Sequence, residues 1–234
     1  MFNLEEEIKK LKARGRDNPL PPEKMAKILS HLLDQAASNK AFEFFQDKKF
    51  RELVGFNKLE QIEQDRIFNE LVLAGIVLLM LTFEAPDLRI PQELKGYFTL
   101  VKDEIPKAHL IQLGQYGIEK KYLADWDKLI QMRYDEYSED KFEVRKAAMH
   151  VESREKDLDT KDILDIQMLL PVQTVAIGCH HHICRSKTEG KDDLFKLILR
   201  WLSKFYIEIR IPLEGGKITP LKRLWIKVKR IFKI

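Results

Sequence analysis

From Leu71 to Leu81 the chain carries an unbroken run without a single charged side chain, inside a segment, Asn57 to Phe83, that reads as one long helix. The first turns of that segment are polar, Glu70 opens the apolar part, and beyond it every face is apolar. A helix with no polar face has to be surrounded on all sides, so it belongs at the centre of a bundle. The run is well short of the ~20 residues that cross a bilayer as helix. The first expectation is therefore an all-α fold, a multi-helix bundle with this long helix buried at its centre.

The rest of the chain can supply the surrounding helices. Ten Gly and nine Pro in 234 residues are too few for a fold made of many tight turns. Residues 2–14 read as a short charged helix. After the Pro-rich loop at 17–22, Met25, Ile28, Leu29, Leu32 and Leu33 share one helical face. An aromatic helix is expected over Ala41–Val54, following Ser38-Asn39 and stopped by Gly55. A shorter one is expected over Gln92–Glu104, broken by Pro106 and followed by His109–Leu113. Ile118 to about Leu158 is heavily charged, with a stripe through Leu123, Trp126, Ile130, Tyr134 and Tyr137. Asp159 to Asp162 offers an N-cap for a helix over Ile163–Cys184 that bends at Pro171, and Asp192–Phe205 forms another. The C-terminal region has two readings. Tyr206–Ile211 alternates like a strand and could pair with Trp225–Lys229 across Gly215-Gly216 as a minor β-hairpin. Equally, Leu221, Leu224, Trp225, Val228 and Phe232 line one helical face.

Charge divides the chain in two. Residues 217–234 hold seven bases and no acid, against 34 bases and 37 acids in the rest, although the whole chain is only +4. Residues 1–216 are thus expected to form the bundle and 217–234 a basic amphipathic tail. Lys222, Arg223, Trp225, Lys227, Lys229, Arg230 and Lys233 are its candidate contacts to a polyanion: RNA, another nucleic acid or an anionic membrane. Two cysteines, Cys179 and Cys184, cannot make a disulfide framework, and no signal peptide is visible; the expected compartment is cytoplasmic, with the tail a means of peripheral membrane attachment.

One pair of residues suggests chemistry. Arg145 and His150 are five positions apart in the charged segment, so on a helix they lie within ~140° of each other. Cleaving RNA requires a proton taken from the 2′-hydroxyl, a proton given to the leaving 5′-oxygen, and charge balance on the phosphorane. Histidine can move protons near neutral pH and arginine can hold two phosphate oxygens at once. The spacing, with Glu143 two places before the Arg and a capped amphipathic helix from Asp162, resembles the Arg-x4–6-His signature of the HEPN superfamily over roughly residues 118–184. That resemblance implies a helical, metal-independent endoribonuclease or RNA-binding protein in which Arg and His from two protomers meet in one cleft. It makes Arg145, His150 and Glu143 the candidate catalytic residues, needs no cofactor, and calls for a homodimer. The structural alternative is a half-buried His150 and an Arg145 paired with an acid one turn away.

A second cluster, Cys179-His180-His181-His182-Ile183-Cys184, holds ligand types that suit zinc or a redox metal. On a helix, His180 shares a face with Cys184 and Cys179 with His182, giving two ligands each. No second Cys/His pair at ligand spacing exists, so His31, His109 or His150 would have to complete a site. Three functional readings follow: the RNA-directed one, a non-enzymatic helical adaptor docking through its basic tail, and a metal-binding bundle.

Deleting residues 217–234 should weaken binding to RNA sharply and leave the bundle folded. Titration against salt checks this, because log K falls by about 0.9 per duplex phosphate contacted for each decade of salt. A truncated chain that binds as well as the full one would assign the tail to core packing.

Overall fold

The computed structural model describes residues 21–89, 92–154 and 159–214, and among these every regular element is helical. They are α1 (Pro22–Phe45), α2 (Lys48–Val54), α3 (Gln61–Glu84), α4 (Lys95–Gln115), α5 (Lys120–Ser153), α6 (Thr160–Ile183) and α7 (Asp192–Leu213), with short 3-10 turns at Phe56–Lys58 and Gln92–Leu94. The 2–14 segment, the seven tail residues from Lys222 to Lys233 and the Trp225–Lys229 arm lie outside the described residues.

The apolar run sits where its composition requires. From Leu71 to Thr82 every residue of α3 is buried, and α1, α4, α5, α6 and α7 all pack on it. α3 is also the one described helix long and apolar enough to cross a membrane, and most of that stretch is buried inside the bundle. On the α1 side the two backbones approach closely, since a Cβ built on Gly75 would lie 3.2 Å from the Ala37 Cβ. Ala26, Leu29, Leu33, Ala36 and Ala37 give α1 the matching small-and-branched face.

Four boundaries differ from the sequence expectation, the first being that the central helix starts at Gln61, after a separate 3-10 turn at Phe56–Lys58, and not at Asn57. Ser38-Asn39 does not interrupt α1. The break comes at Asp47, whose carboxylate accepts the Phe50 N–H at 2.8 Å and caps α2, and Gly55 ends α2 with φ +78°, a conformation glycine reaches without strain. Pro106 does not break α4, which runs through it with Phe98, Val101, Ile105, Ala108, His109 and Gln112 buried. One lost backbone bond costs less than exposing that face would. Tyr206–Ile211 is not a strand but the continuation of α7, and this removes one arm of the expected hairpin. Ile198, Leu202, Phe205, Tyr206 and Ile209 form a single helical stripe in the core, and a strand would turn alternate members outward. The Asp159 cap is as expected: its side chain accepts the Asp162 N–H at 2.8 Å, and the Asp162 carboxylate accepts the Asp159 N–H at 3.2 Å.

One end of the bundle is well defined. Glu84, the last residue of α3, accepts from Lys102 Nζ (2.9 Å) and from the Tyr134 hydroxyl, and pairs with Lys141 at 3.7 Å. Burial alone would push the Glu84 carboxyl up, but these donors and cations bring it below its ordinary range. Nearby, Arg210 of α7 pairs with Asp87 (2.7 Å) and Glu214 (2.6 Å) and donates to the Tyr206 hydroxyl, which in turn donates to the Met168 carbonyl at 3.0 Å. The ends of α3 and α7 and the middle of α5 are thereby level. α5 continues twelve residues beyond Lys141, about 18 Å at 1.5 Å per residue, so its last turns overhang the ends of α3 and α7, with the first turns of α6 running back beside them.

α5 and α6 meet closely just before that overhang. A Cβ on Gly178 would lie 2.0 Å from Tyr137 Cε1, so the buried tyrosine ring fills the space a side chain would need. Gly178→Ala should therefore force the ring out and destabilise the fold by at least about 1–3 kcal/mol. Chemical denaturation measures this, and a variant as stable as the parent would contradict the Tyr137–Gly178 contact.

Candidate functional site

The overhang carries the Arg145/His150 pair. Along it, Lys141, Val144, Ala148 and Glu152 form a half-buried stripe in line with Tyr137, while Phe142, Glu143, Arg145, Lys146, His150 and Val151 are exposed. Neither the Arg145 guanidinium nor the His150 imidazole has a hydrogen bond or ion pair among the described residues. Both structural alternatives thus fail: His150 is not half-buried, and Arg145 pairs with no acid one turn away. Nor does one chain fold a cleft around them, since this face of α5 is uncovered among the described residues. Glu143 shares the face of His150 but lies two turns before it, about 10 Å along the axis, beyond hydrogen-bond reach.

The nearest acids, Glu139, Asp140 and Glu143, are exposed on α5 itself. Glu84, Asp87 and Glu214 are held in the ion pairs just described, while Arg145, Lys146, His150 and Arg154 are exposed. Residue 214, from which the chain runs on toward the seven-base segment, belongs to the same end of the bundle, where Glu214 Oε1 accepts the Arg89 N–H at 3.3 Å.

The Cys/His cluster is dispersed. Cys179 is wholly buried and Cys184 nearly so, and burial pushes both thiols up, away from the thiolate a metal would bind. His180 packs against the Phe195 ring, and His181 is exposed with Nε2 2.9 Å from the Ser186 hydroxyl. His182 Nε2 lies 2.8 Å from Glu136. The four candidate ligands do not converge, and among the described residues no three His, Cys, Asp or Glu side chains are placed to hold a metal ion.

The cluster ends in an ion-pair network. Arg133 makes a two-pronged bond to buried Glu70 (2.7 and 3.1 Å) and reaches Glu136 at 3.3 Å, and Glu136 holds His182. Arg66 donates to the His182 and Ile183 carbonyls at 2.9 and 3.1 Å, satisfying the open end of α6, and also pairs with Glu63. Arg185 completes the set on Glu63. Glu70 was visible in the sequence as the acid opening the apolar run. Its partner Arg133 was hidden in a segment already rich in charge. A second buried pair, His109 Nδ1 to Asp34 at 2.9 Å, joins α4 to α1 under the Trp126 ring, and nothing in the local sequence marked it.

No protein-family model, curated protein or solved structure matches this chain.

Burial lowers the basicity of His180, with lesser and opposing effects from Lys191 and the groups beside it. The folded protein therefore holds this imidazole neutral at pH values where an unfolded chain, titrating near 6.5, takes up a proton. Stability from this group is complete above about pH 6.5 and declines as the pH falls below it. Urea melts at pH 7.5 and 5.5 should show a smaller acid loss for His180→Gln than for the parent. Equal losses would mean that His180 is not the group responsible.

Proposed function

We propose that this protein binds RNA and cleaves it without a metal ion, in the manner of the HEPN-like proteins its Arg-x4-His spacing resembles. The observation that carries this reading is the placement of Arg145 and His150. Both are exposed and, among the described residues, without a side-chain partner, on the part of α5 that extends past the ends of α3 and α7, the end of the bundle from which the chain leads toward the seven-base segment. A free guanidinium is what a phosphate needs, since an arginine already bound to a carboxylate would have to give it up. The described residues form no cleft around the pair and the resemblance implies one shared by two protomers, so the active form in this reading is a homodimer. There the two His150 side chains divide the base and acid roles, and the two Arg145 side chains hold the phosphate. The basic segment adds affinity through counterion release.

With full-length protein, cleavage of a 5′-labelled RNA should persist in EDTA, and a strand lacking the 2′-hydroxyl at the cut site should stay intact. His150→Ala should slow cleavage by roughly 10²–10⁴-fold, and Arg145→Ala should abolish it, with unchanged circular dichroism in both, since neither residue touches the core. Loss of activity in EDTA, or cleavage unaffected by both substitutions, would defeat this reading. Binding to anionic vesicles in preference to RNA would favour the helical adaptor instead.

A further inference from the structure

Phe142 is 75% exposed, the most exposed large apolar side chain among the described residues. Its ring pairs with no other aromatic there, whereas Phe42, also exposed, rests edge-on against Phe68. The helix needs no phenylalanine at this place: the half-buried stripe of the overhang runs through Lys141, Val144, Ala148 and Glu152, and Phe142 is off it. It stands instead among the site residues. Arg145 and Lys146 follow at i+3 and i+4, where helical neighbours bring their Cβ atoms within about 5–6 Å. His150, at i+8, lies on the same side, about 80° round and about 12 Å along the axis.

We propose that Phe142 is the base-stacking platform of the Arg145/His150 surface, which makes the RNA bound there single-stranded. This rests on the RNA-directed reading above and narrows it. Glu139 stands one turn before the ring and Arg145 and Lys146 one turn after it, so an unpaired base can lie flat on the ring while the two cations hold the phosphate on their side. In a duplex the bases are already stacked on each other and their faces are closed to a side chain.

The test measures binding of the full-length protein to a fluorescein-labelled single-stranded RNA of mixed sequence, and to the same strand annealed to its complement. Phe142→Ala should weaken single-strand binding by about tenfold or more, as loss of one stacked base does, and leave duplex binding unchanged. Phe142→Trp should retain the affinity and show tryptophan quenching on adding the single strand, whereas Phe142→Leu, equally apolar, should behave like the alanine variant. If Arg145→Ala weakens RNA binding but Phe142→Ala does not, the stacking proposal fails and the RNA reading stands. If the unaltered protein binds neither RNA, both fail. If Phe142→Ala instead turns a dimer into a monomer by sedimentation, the ring belongs to a contact between copies and the proposal is overturned.

Discussion

A helix that is apolar all round can exist in water only when other helices enclose it, and α3 imposes that condition on the whole chain. Five helices pack around it, each presenting one face inward, so their faces are defined by α3 before they are defined by each other. The close approach of α1 at Gly75 and Ala37 belongs to the same demand, because small residues let an enclosing backbone come near. The single acid in the enclosed part, Glu70, also needs a partner from outside, and Arg133 supplies it from α5. Breaking such a buried pair by removing one side costs about 3–5 kcal/mol, since the other charge is left without water or counterion. One ion pair thus sets where α5 crosses the central helix, and through Glu136 and His182 it also sets where α6 ends.

Much of this was legible in the residues because burial leaves periodic marks. The central helix, the Ile130–Tyr134–Tyr137 stripe and the Asp159 cap could be read locally, each from residues within a few turns. The misreadings share one cause. Ser38-Asn39, Pro106 and the alternation at Tyr206–Ile211 are local signals for a break, a break and a strand, and each was overruled by packing with residues far away in sequence. Pro106 sits between Val101 and His109, both held against α1, and Ile209 shares a stripe with Ile198.

The candidate site was legible in a different way. Arg145 and His150 could be named from spacing, but exposure and lack of partners are properties of the folded chain. The Cys/His cluster looked equally chemical in the sequence, yet burial of its cysteines and the Glu136–His182 bond assign it to the end of a helix. Chemical potential in a residue type becomes a site only where the fold leaves that residue unspent. Here, among the described residues, the fold commits Arg66, Arg133 and Arg210 to internal pairs and leaves Arg145 out.

That α5 is one uninterrupted helix from Lys120 to Ser153 has a mechanical consequence. Its first half is tied to α3 at Arg133 and to α6 at Tyr137, and its far half is a rod held near its base by the Lys141–Glu84 pair, with a half-buried stripe through Val144, Ala148 and Glu152. From Tyr137 to Ser153 the rod is about 24 Å long. A tilt of about 10° at Tyr137 would swing the tip by about 4 Å, a distance comparable to a salt bridge made or lost. A small difference in the angle at which α5 crosses α3 beside the Glu70–Arg133 pair is therefore magnified along the helix into a larger difference in where the charged tip stands.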